Sequence, residues 1–269
     1  MFGWLRRRAK ARPIPDGLWN SVIAAHPFLA RRTVDEQQRM RALSEEFLAS
    51  KEFTGVHGVT VTDEMAVAIA AQAVLPVLNL GLHWYDDFVG IVVHPGDAVA
   101  RRSQVDEAGV VHQYDEVLSG EAMDGGPVML SMQAVAESAD TAPQGYNVII
   151  HEFAHKIDMR DGDNDGCPPL TARFMGAASV QQARVNWLAT LTTEYDRFRE
   201  EVIIAERFGG SWPWLDSYGA TAIDEFFAVC CEAYFVNRAQ FDASFPKLVP
   251  MFDEFFGNAN SQLSDAAAP

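Results

Sequence analysis

The chain is best interpreted from one stretch, Val148-Ile149-Ile150-His151-Glu152-Phe153-Ala154-His155-Lys156-Ile157-Asp158. It is apolar where it begins and charged where it ends, and neither Gly nor Pro occurs between Tyr146 and Gly162, so it predicts a helix. Residues four apart lie one above the other on a helix, so His151 and His155 are predicted to project side by side. Two imidazoles in this arrangement fit adjacent corners of a tetrahedral Zn²⁺ site.

The same pattern, His151-Glu152-Phe153-Ala154-His155, is typical of zinc peptidases, which carry two ligands and a general base on one helical turn. Glu152 adjoins the first ligand, within reach of a water molecule on the metal rather than of the metal itself. A pattern of this kind arises by accident in about one chain in a hundred of this length. The alternative is a pair of hydrogen-bonded core histidines, and the apolar half-turn before His151 favours the metal site.

A catalytic zinc ion needs three protein ligands and one open position. Glu225 begins an otherwise apolar helical stretch, where a buried carboxylate is costly unless it is paired or bound to metal. Glu232, two turns further, lies on nearly the same face and is either an alternative ligand or a residue that orients one. Other side chains offer a thiolate or an imidazole: Cys230, Cys231, His26, His57, His83, His94 and His112.

With Ser217-Tyr218-Gly219 and Glu225-Phe226-Phe227-Ala228, the histidine motif resembles the Mlc titration factor A family, zinc peptidases related to the catalytic domain of anthrax lethal factor. The resemblance covers nearly the whole chain. It extends to Met1-Phe2-Gly3-Trp4-Leu5-Arg6-Arg7-Arg8, Trp84-Tyr85-Asp86-Asp87-Phe88, Gly120-Glu121, Gly126-Pro127-Val128, Gly145-Tyr146-Asn147-Val148 and Asp161-Gly162-Asp163. Met123 and Met132 stand where the family often has tryptophan.

The resemblance implies that His151, His155 and Glu225 bind one Zn²⁺ per chain and that Glu152 is the general base. It also implies that Tyr218 faces the open coordination position. The implied fold is α+β and of the gluzincin type, mainly helical with a small mixed β-sheet and with the active site between two helices.

The resemblance implies two alternative functions. The first is a zinc-dependent peptidase with aminopeptidase-like activity on short peptides. The alternative is a regulatory binding protein that sequesters a transcriptional repressor controlling sugar uptake, because the family's eponymous member binds the repressor Mlc. A structural zinc site is a third option, but such sites usually have four protein ligands, often thiolates.

Periodicity and capping residues predict helices at 16–24, 33–50, 62–75, 177–208, 222–236 and 239–256. They predict strands at 56–62, 88–94, 110–114 and 128–135, the last followed by a loop at 136–145. An extended peptide is expected to pair with the strand at 128–135, and an ordinary edge strand is the alternative. The inward stripe of the helix at 177–208 is predicted to be Val185, Leu188, Leu191, Tyr195 and Phe198.

The segment Asp161-Gly162-Asp163-Asn164-Asp165-Gly166 imitates the first half of a calcium loop, with acids at positions one, three and five and glycine at six. Position twelve is Ala172 instead of a bidentate glutamate, and Pro168-Pro169 blocks the usual exit helix. A tight polar turn is therefore predicted, with structural calcium as the alternative.

The net charge of −16 makes non-specific binding to nucleic acid unfavourable. No apolar run approaches the roughly 18–20 residues that cross a bilayer, so no stable membrane insertion is expected. The three cysteines give no disulfide framework, and the start of the chain has no signal-peptide core, which together predict a cytoplasmic protein. A flexible basic tip (1–12), a metallopeptidase domain (13–257), either one body or two packed lobes, and a disordered tail (258–269) are expected.

Overall fold

The computed structural model describes residues 11–96, 98–105, 111–118 and 120–257, with the backbone alone for 98–105 and 111–118. Nearly all of the predicted basic tip (1–12) and the whole of the predicted tail (258–269) lie outside the described residues. The helices within them are α1 (Asp16–Ala25), α2 (Pro27–Ala30), α3 (Val34–Ser50), α4 (Asp63–Ala73), α5 (Met132–Thr141), α6 (Val148–Asp158), α7 (Val180–Phe208), α8 (Ile223–Val236), α9 (Arg238–Ser244) and α10 (Val249–Gly257).

The described strands are β1 (Glu52–Gly55), β2 (Gly90–His94), β3 (Ala98–Val105), β4 (Val111–Leu118), β5 (Gly120–Ala122) and β6 (Val128–Ser131). Four of them form a mixed sheet in the order β1-β2-β6-β5, in which β5 alone is antiparallel to its neighbour. β3 and β4 form a separate antiparallel pair. The prediction of an α+β fold, mainly helical with a small mixed sheet, is confirmed.

α6 is the central helix of this fold. Every residue from Ile149 to Asp158 is buried, and the helix packs against α8, α4 and strands β5 and β6. Asn147 caps its start, since the side-chain oxygen accepts the N–H of Ile150 at 2.9 Å. α8 is buried continuously from Phe226 to Val236. The two helices therefore meet inside the core, and the polar side chains at their contact are shielded from bulk water.

The prediction of a strand at 128–135 is wrong for residues 132–135. β6 ends at Ser131, whose hydroxyl accepts the N–H of Ala134 at 3.3 Å and so caps α5. The predicted loop at 136–145 is therefore mostly helix. β6 also lies between β2 and β5, so its backbone is already paired on both sides. The edge strand on this side of the sheet is β5, and the prediction that a peptide pairs with the 128–135 strand is wrong.

Three smaller predictions also need correction. The first strand is β1 rather than 56–62, because the chain turns directly after β1 and the N–H of Val59 donates to the carbonyl of Val56 at 3.1 Å. The helix predicted at 239–256 is divided into α9 and α10 around Pro246, since proline disfavours helical backbone in the residue before it. In α7, Val185 is 51% exposed and Trp187 is buried instead. The remaining helix predictions are confirmed to within about one turn.

The polar turn at 161–166 is held by an arginine of α7. The guanidinium of Arg184 lies 3.7 Å from the carboxylate of Asp161 and 3.3 Å from that of Asp163, and it also contacts Asp165. It thus supplies the positive charge that a calcium ion supplies in a calcium loop. This arrangement fits the predicted tight polar turn.

All three cysteines are buried and free, in agreement with the absence of a disulfide framework. In the part of the chain that the structure describes, no helix is long and apolar enough to cross a membrane.

Candidate metal centre

Three side chains converge where α6 meets α8. Nε2 of His151 lies 3.2 Å from Nε2 of His155, and these atoms lie 3.0 Å and 3.2 Å, respectively, from Oε2 of Glu225. In a tetrahedral zinc site with bonds of about 2.0–2.1 Å, neighbouring ligand atoms are roughly 3.3–3.4 Å apart. The three atoms therefore match one face of such a tetrahedron. The donor set of two imidazoles and one carboxylate fits a divalent metal ion.

Local structure explains this convergence. The four-residue spacing on α6 stacks the two imidazoles with ring centroids 4.9 Å apart. Glu225 lies in the first turn of α8, whose start is tied to the polar turn because the Asn164 amide donates to the carboxylate of Asp224 at 2.6 Å. The three side chains are only 9–19% exposed, so the ligand atoms are largely removed from bulk water.

The electrostatics favour a positive charge among these atoms. Burial lowers the pKa of His151, but the hydrogen-bonded carboxylates Glu225 and Glu232 outweigh it and raise that pKa well above its ordinary value. The pKa of His155 is also raised, because Glu225 outweighs the effect of burial. Burial alone raises the pKa of Glu225, yet the two histidines hold it below its usual range. A bound metal cation would supply the positive charge that this arrangement favours.

Glu232 contacts the opposite side of one ligand. Nδ1 of His151 donates to Oε1 of Glu232 at 2.8 Å, and Oε2 of Glu232 accepts the backbone N–H of Asn147. With Nδ1 donating to Glu232, Nε2 is the nitrogen of His151 that would bind a metal ion, and it is the atom of the ligand triangle. Of the two roles left open by the sequence, this contact fits a residue that orients His151, and Glu232 is not among the three side chains whose ligand atoms lie close together.

Glu152 is 4% exposed and lies against the first residue of β5. A Cβ atom at Gly120 would come within 2.3 Å of Oε1 of Glu152, so only glycine allows the strand this approach. Burial raises the pKa of Glu152 to about 7. A carboxyl with this pKa both takes up and releases a proton near neutral pH, as a general base requires.

Tyr218 lies in a short 3₁₀ turn before α8, Ser217–Ala220. Its hydroxyl donates to Oε1 of Glu225 at 3.2 Å, and its ring centroid is 6.0 Å from that of His151. The turn is packed tightly on α8, because Gly219 approaches the Cα of Phe226. The tyrosine hydroxyl is thus held beside the ligand triangle.

The other candidate ligands do not join this group. Among the described side chains, the only set of histidine, cysteine and acidic residues with ligand atoms close enough to share a metal ion is His151, His155 and Glu225. The side chain of His112 lies outside the described residues. A cavity of about 1070 Å³ between α1, α3 and α4, lined in part by Leu18, Leu48 and Val67, contains none of these ligands.

Two residues that contribute to the site were assigned no role from the sequence. Asn147 could have been found as the polar residue immediately before the apolar start of α6, a usual helix-capping position. Gly120 carried no sign of its contact with Glu152.

An α+β fold that brings two histidines, a carboxylate and a second, buried carboxylate together in this way is that of a metallopeptidase. The sequence model of the glucose-regulated metallo-peptidase M90 family matches residues 1–257, and the chain belongs to this family.

Its relatives carry the name that the sequence motifs indicated. Mlc titration factor A of Salmonella arizonae is 32% identical over 263 residues, covering 97% of this chain and 99% of that protein. The protein of the same name from Cronobacter sakazakii is 33% identical, covering 93% of this chain and 88% of its own length. The protein of that name from Escherichia fergusonii is 33% identical, covering 93% of this chain and 91% of its own length. The resemblance to this family is confirmed.

Proposed function

We propose that the chain is a zinc-dependent peptidase of the gluzincin type that hydrolyses short peptides with aminopeptidase-like specificity. One observation carries this proposal: the triangle of ligand atoms, with 3.0–3.2 Å sides, adjoins a buried carboxylate on the same helical turn. His151, His155 and Glu225 are the residues that would hold Zn²⁺. When bound, the ion supplies Lewis acidity toward the scissile carbonyl and toward water.

The residues of the chain perform the proton transfers. The Glu152 carboxylate takes a proton from water as the water oxygen bonds to the carbonyl carbon of the substrate. It then passes this proton to the amine nitrogen as the C–N bond breaks. The hydroxyl of Tyr218 turns from Glu225 to donate to the oxygen that gains negative charge. Glu232 keeps the ring of His151 oriented throughout.

β5 is the proposed peptide-binding strand. It ends the sheet order and its first residue packs against Glu152, so a peptide paired with its backbone would lie beside the general base. Backbone hydrogen bonds provide affinity in this mode of binding, which is largely independent of the peptide's sequence. Gly120 lets the strand approach the base without displacing it.

Substitution of Glu152 by Gln tests the peptidase proposal, because the amide cannot accept the proton. We expect Glu152→Gln to keep one zinc per chain and to lose peptide hydrolysis by about two to four orders of magnitude. Glu200→Gln, a matched change on the exposed side of α7, should leave both properties unchanged. Zinc content and the rate of cleavage of short peptides with free N-termini measure the outcome. Hydrolysis by Glu152→Gln at the wild-type rate would show that Glu152 is not the general base.

A second function is supported by the name of the relatives, Mlc titration factor A. We propose that the chain also binds an Mlc-type transcriptional repressor in the cytoplasm, and that it does so without nucleic acid or membrane insertion. The free, buried cysteines are in keeping with a reducing compartment. Binding to a purified repressor of this type should persist in Glu152→Gln. Loss of binding on that single change would connect the two functions at one site.

A further inference from the structure

A continuous chain of buried hydrogen bonds leads from the metal site to the N-terminal helices. Nδ1 of His151 bonds to Glu232, and Glu232 accepts the backbone N–H of Asn147. Nδ2 of Asn147 donates to Oε1 of Gln72 at 2.7 Å, and Nε2 of Gln72 lies 3.3 Å from Nε2 of His26. The route therefore joins α6 and α8 to α4 and α1.

The direction of each hydrogen bond in this chain is determined. Nδ1 of His26 donates to the carbonyl of the residue one turn earlier in α1 at 2.8 Å, so Nε2 is the acceptor. Burial lowers the pKa of His26, which keeps the ring neutral. The Gln72 amide must then donate to His26 and present its oxygen to Asn147. Asn147 in turn donates to Gln72 and Glu232, and Glu232 accepts a hydrogen bond from Nδ1 of His151.

This polarity has a consequence for the metal site. Because Nδ1 of His151 donates to Glu232, Nε2 is the nitrogen on which a metal ion would replace the proton, and it faces His155 and Glu225. Gln72, Asn147 and Glu232 are 0%, 1% and 4% exposed. Water cannot readily replace a partner at such positions, so a change in one side chain leaves its neighbour unsatisfied.

The two histidines of the site differ in the hydrogen bonding of Nδ1. Nδ1 of His155 has no hydrogen-bond partner among the described residues. His151 is thus the histidine whose orientation depends on the rest of the molecule, and the dependence extends to a residue 79 positions earlier in the chain.

We propose that Gln72 is a positioning residue of the metal site: it holds Asn147 and, through Asn147 and Glu232, orients His151 for metal binding. The inference rests on the metal binding that is part of the proposed function. It predicts that zinc affinity depends on a side chain in α4 that touches none of the ligands.

Gln72→Met tests the proposal, because methionine fills a similar volume and makes neither hydrogen bond. We expect the zinc Kd, measured against a competing chelator, to rise about tenfold, the lower end of the range for residues that hydrogen-bond a metal-binding histidine, because Gln72 acts through Asn147 and Glu232. Tyr85→Phe is the matched control. It removes a buried hydrogen bond of 3.0 Å to the carbonyl of Ala73, which is also in α4 but is not part of the hydrogen-bond chain from His151 to His26. Both variants should lose stability to denaturant, and only Gln72→Met should lose zinc affinity.

A double-mutant cycle locates the effect. If Gln72 acts through Glu232, then adding Gln72→Met to Glu232→Gln should raise the zinc Kd no further. An unchanged Kd in Gln72→Met, or an equal loss in Tyr85→Phe, would overturn the proposal, and so would independent, multiplicative effects in the cycle. Should Gln72→Met fail to fold, Gln72→Asn retains a buried amide that is one methylene too short to reach Asn147, and the same rise in Kd is expected.

The result is separable from the proposed peptidase activity. If the wild-type protein binds zinc but cleaves no peptide, the proposed peptidase activity is rejected. The positioning role of Gln72 can still be tested by zinc affinity. Wild-type protein that cleaves peptides, together with a Gln72→Met variant of unaltered Kd, would reject the positioning role alone.

Discussion

The two oxygens of Glu225 have different partners. Oε2 lies within 3.2 Å of both imidazoles, whereas Oε1 accepts the hydroxyl of Tyr218. A carboxylate held in this way presents one oxygen to a metal ion, because the other is already occupied. Tyr218 therefore has a role in the resting site as well as the proposed role in the reaction.

Tyr218→Phe separates these roles. We expect the rate of peptide hydrolysis to fall about 10²–10³-fold, as for other residues that donate to a developing oxyanion. The zinc Kd should rise less than about tenfold, since His151, His155 and Glu225 all remain. Steady-state kinetics and zinc titration on one preparation measure both. Tyr195→Phe, which loses a hydroxyl contact to Ala220 at 3.2 Å on the same 3₁₀ turn, is the control. Unchanged turnover in Tyr218→Phe would exclude the oxyanion role.

The contact between β5 and α6 is maintained by a buried lysine. Nζ of Lys156 donates to the carbonyl of Gly126 at 2.9 Å and to that of Met123, both in the turn that joins β5 to β6. The side chain is 0% exposed. Lys156 follows the second histidine directly on α6, so the helix that carries the ligands also fixes the strand proposed to bind the peptide.

Gly120→Ala tests this contact. The added methyl would lie 2.3–2.7 Å from atoms of the buried Glu152 side chain, so Glu152 should be displaced. We expect peptide hydrolysis to fall at least about tenfold while zinc remains bound, because the displaced base no longer reaches the water. In Gly17→Ala, the control in α1, the new Cβ meets nothing within 4 Å. Full activity in Gly120→Ala would contradict the close approach of β5.

The buried apolar side chains, from Ile14 before α1 to Phe256 in α10, form one cluster. Asp158 is buried among them at the end of α6, and its Oδ1 has no hydrogen-bond partner among the described residues. Burial raises its pKa to about 7, although the N–H of Gly166, which donates to Oδ2 at 2.8 Å, opposes this shift. In an unfolded chain the same carboxyl ionises near pH 4.

The folded state thus binds more protons than the unfolded state between about pH 4 and 7, and stability falls as the pH rises through this window. Asp158→Asn removes the titration and keeps an oxygen for Gly166. At pH 8 we expect the variant to be more stable than wild type, by up to about 4 kcal/mol, with the difference vanishing near pH 4. Denaturant unfolding in the presence of a chelator measures it, with the exposed Asp196→Asn as control. Equal stability at pH 8 would contradict the assignment.

Local signals in the sequence account for most of what could be predicted. The spacing of His151 and His155 fixes their relation as soon as a helix forms, and the structure brings Glu225 to them. The end of β6 was missed because the alternation from Val128 continues past Ser131, which is already a helix cap. The order of the sheet and the bond between Gln72 and Asn147 depend on pairings between distant parts of the chain, and no local pattern encodes them.

The arginine in the polar turn has a practical consequence. Arg184 is part of the polypeptide, so the counter-ion of the 161–166 turn cannot be dialysed away. A chelator such as EDTA should therefore strip a metal ion bound at the proposed site while the turn, and the start of α8 that it holds, stay in place. Apoprotein prepared in this way should be reloaded with a chosen divalent metal by simple addition, without a refolding step.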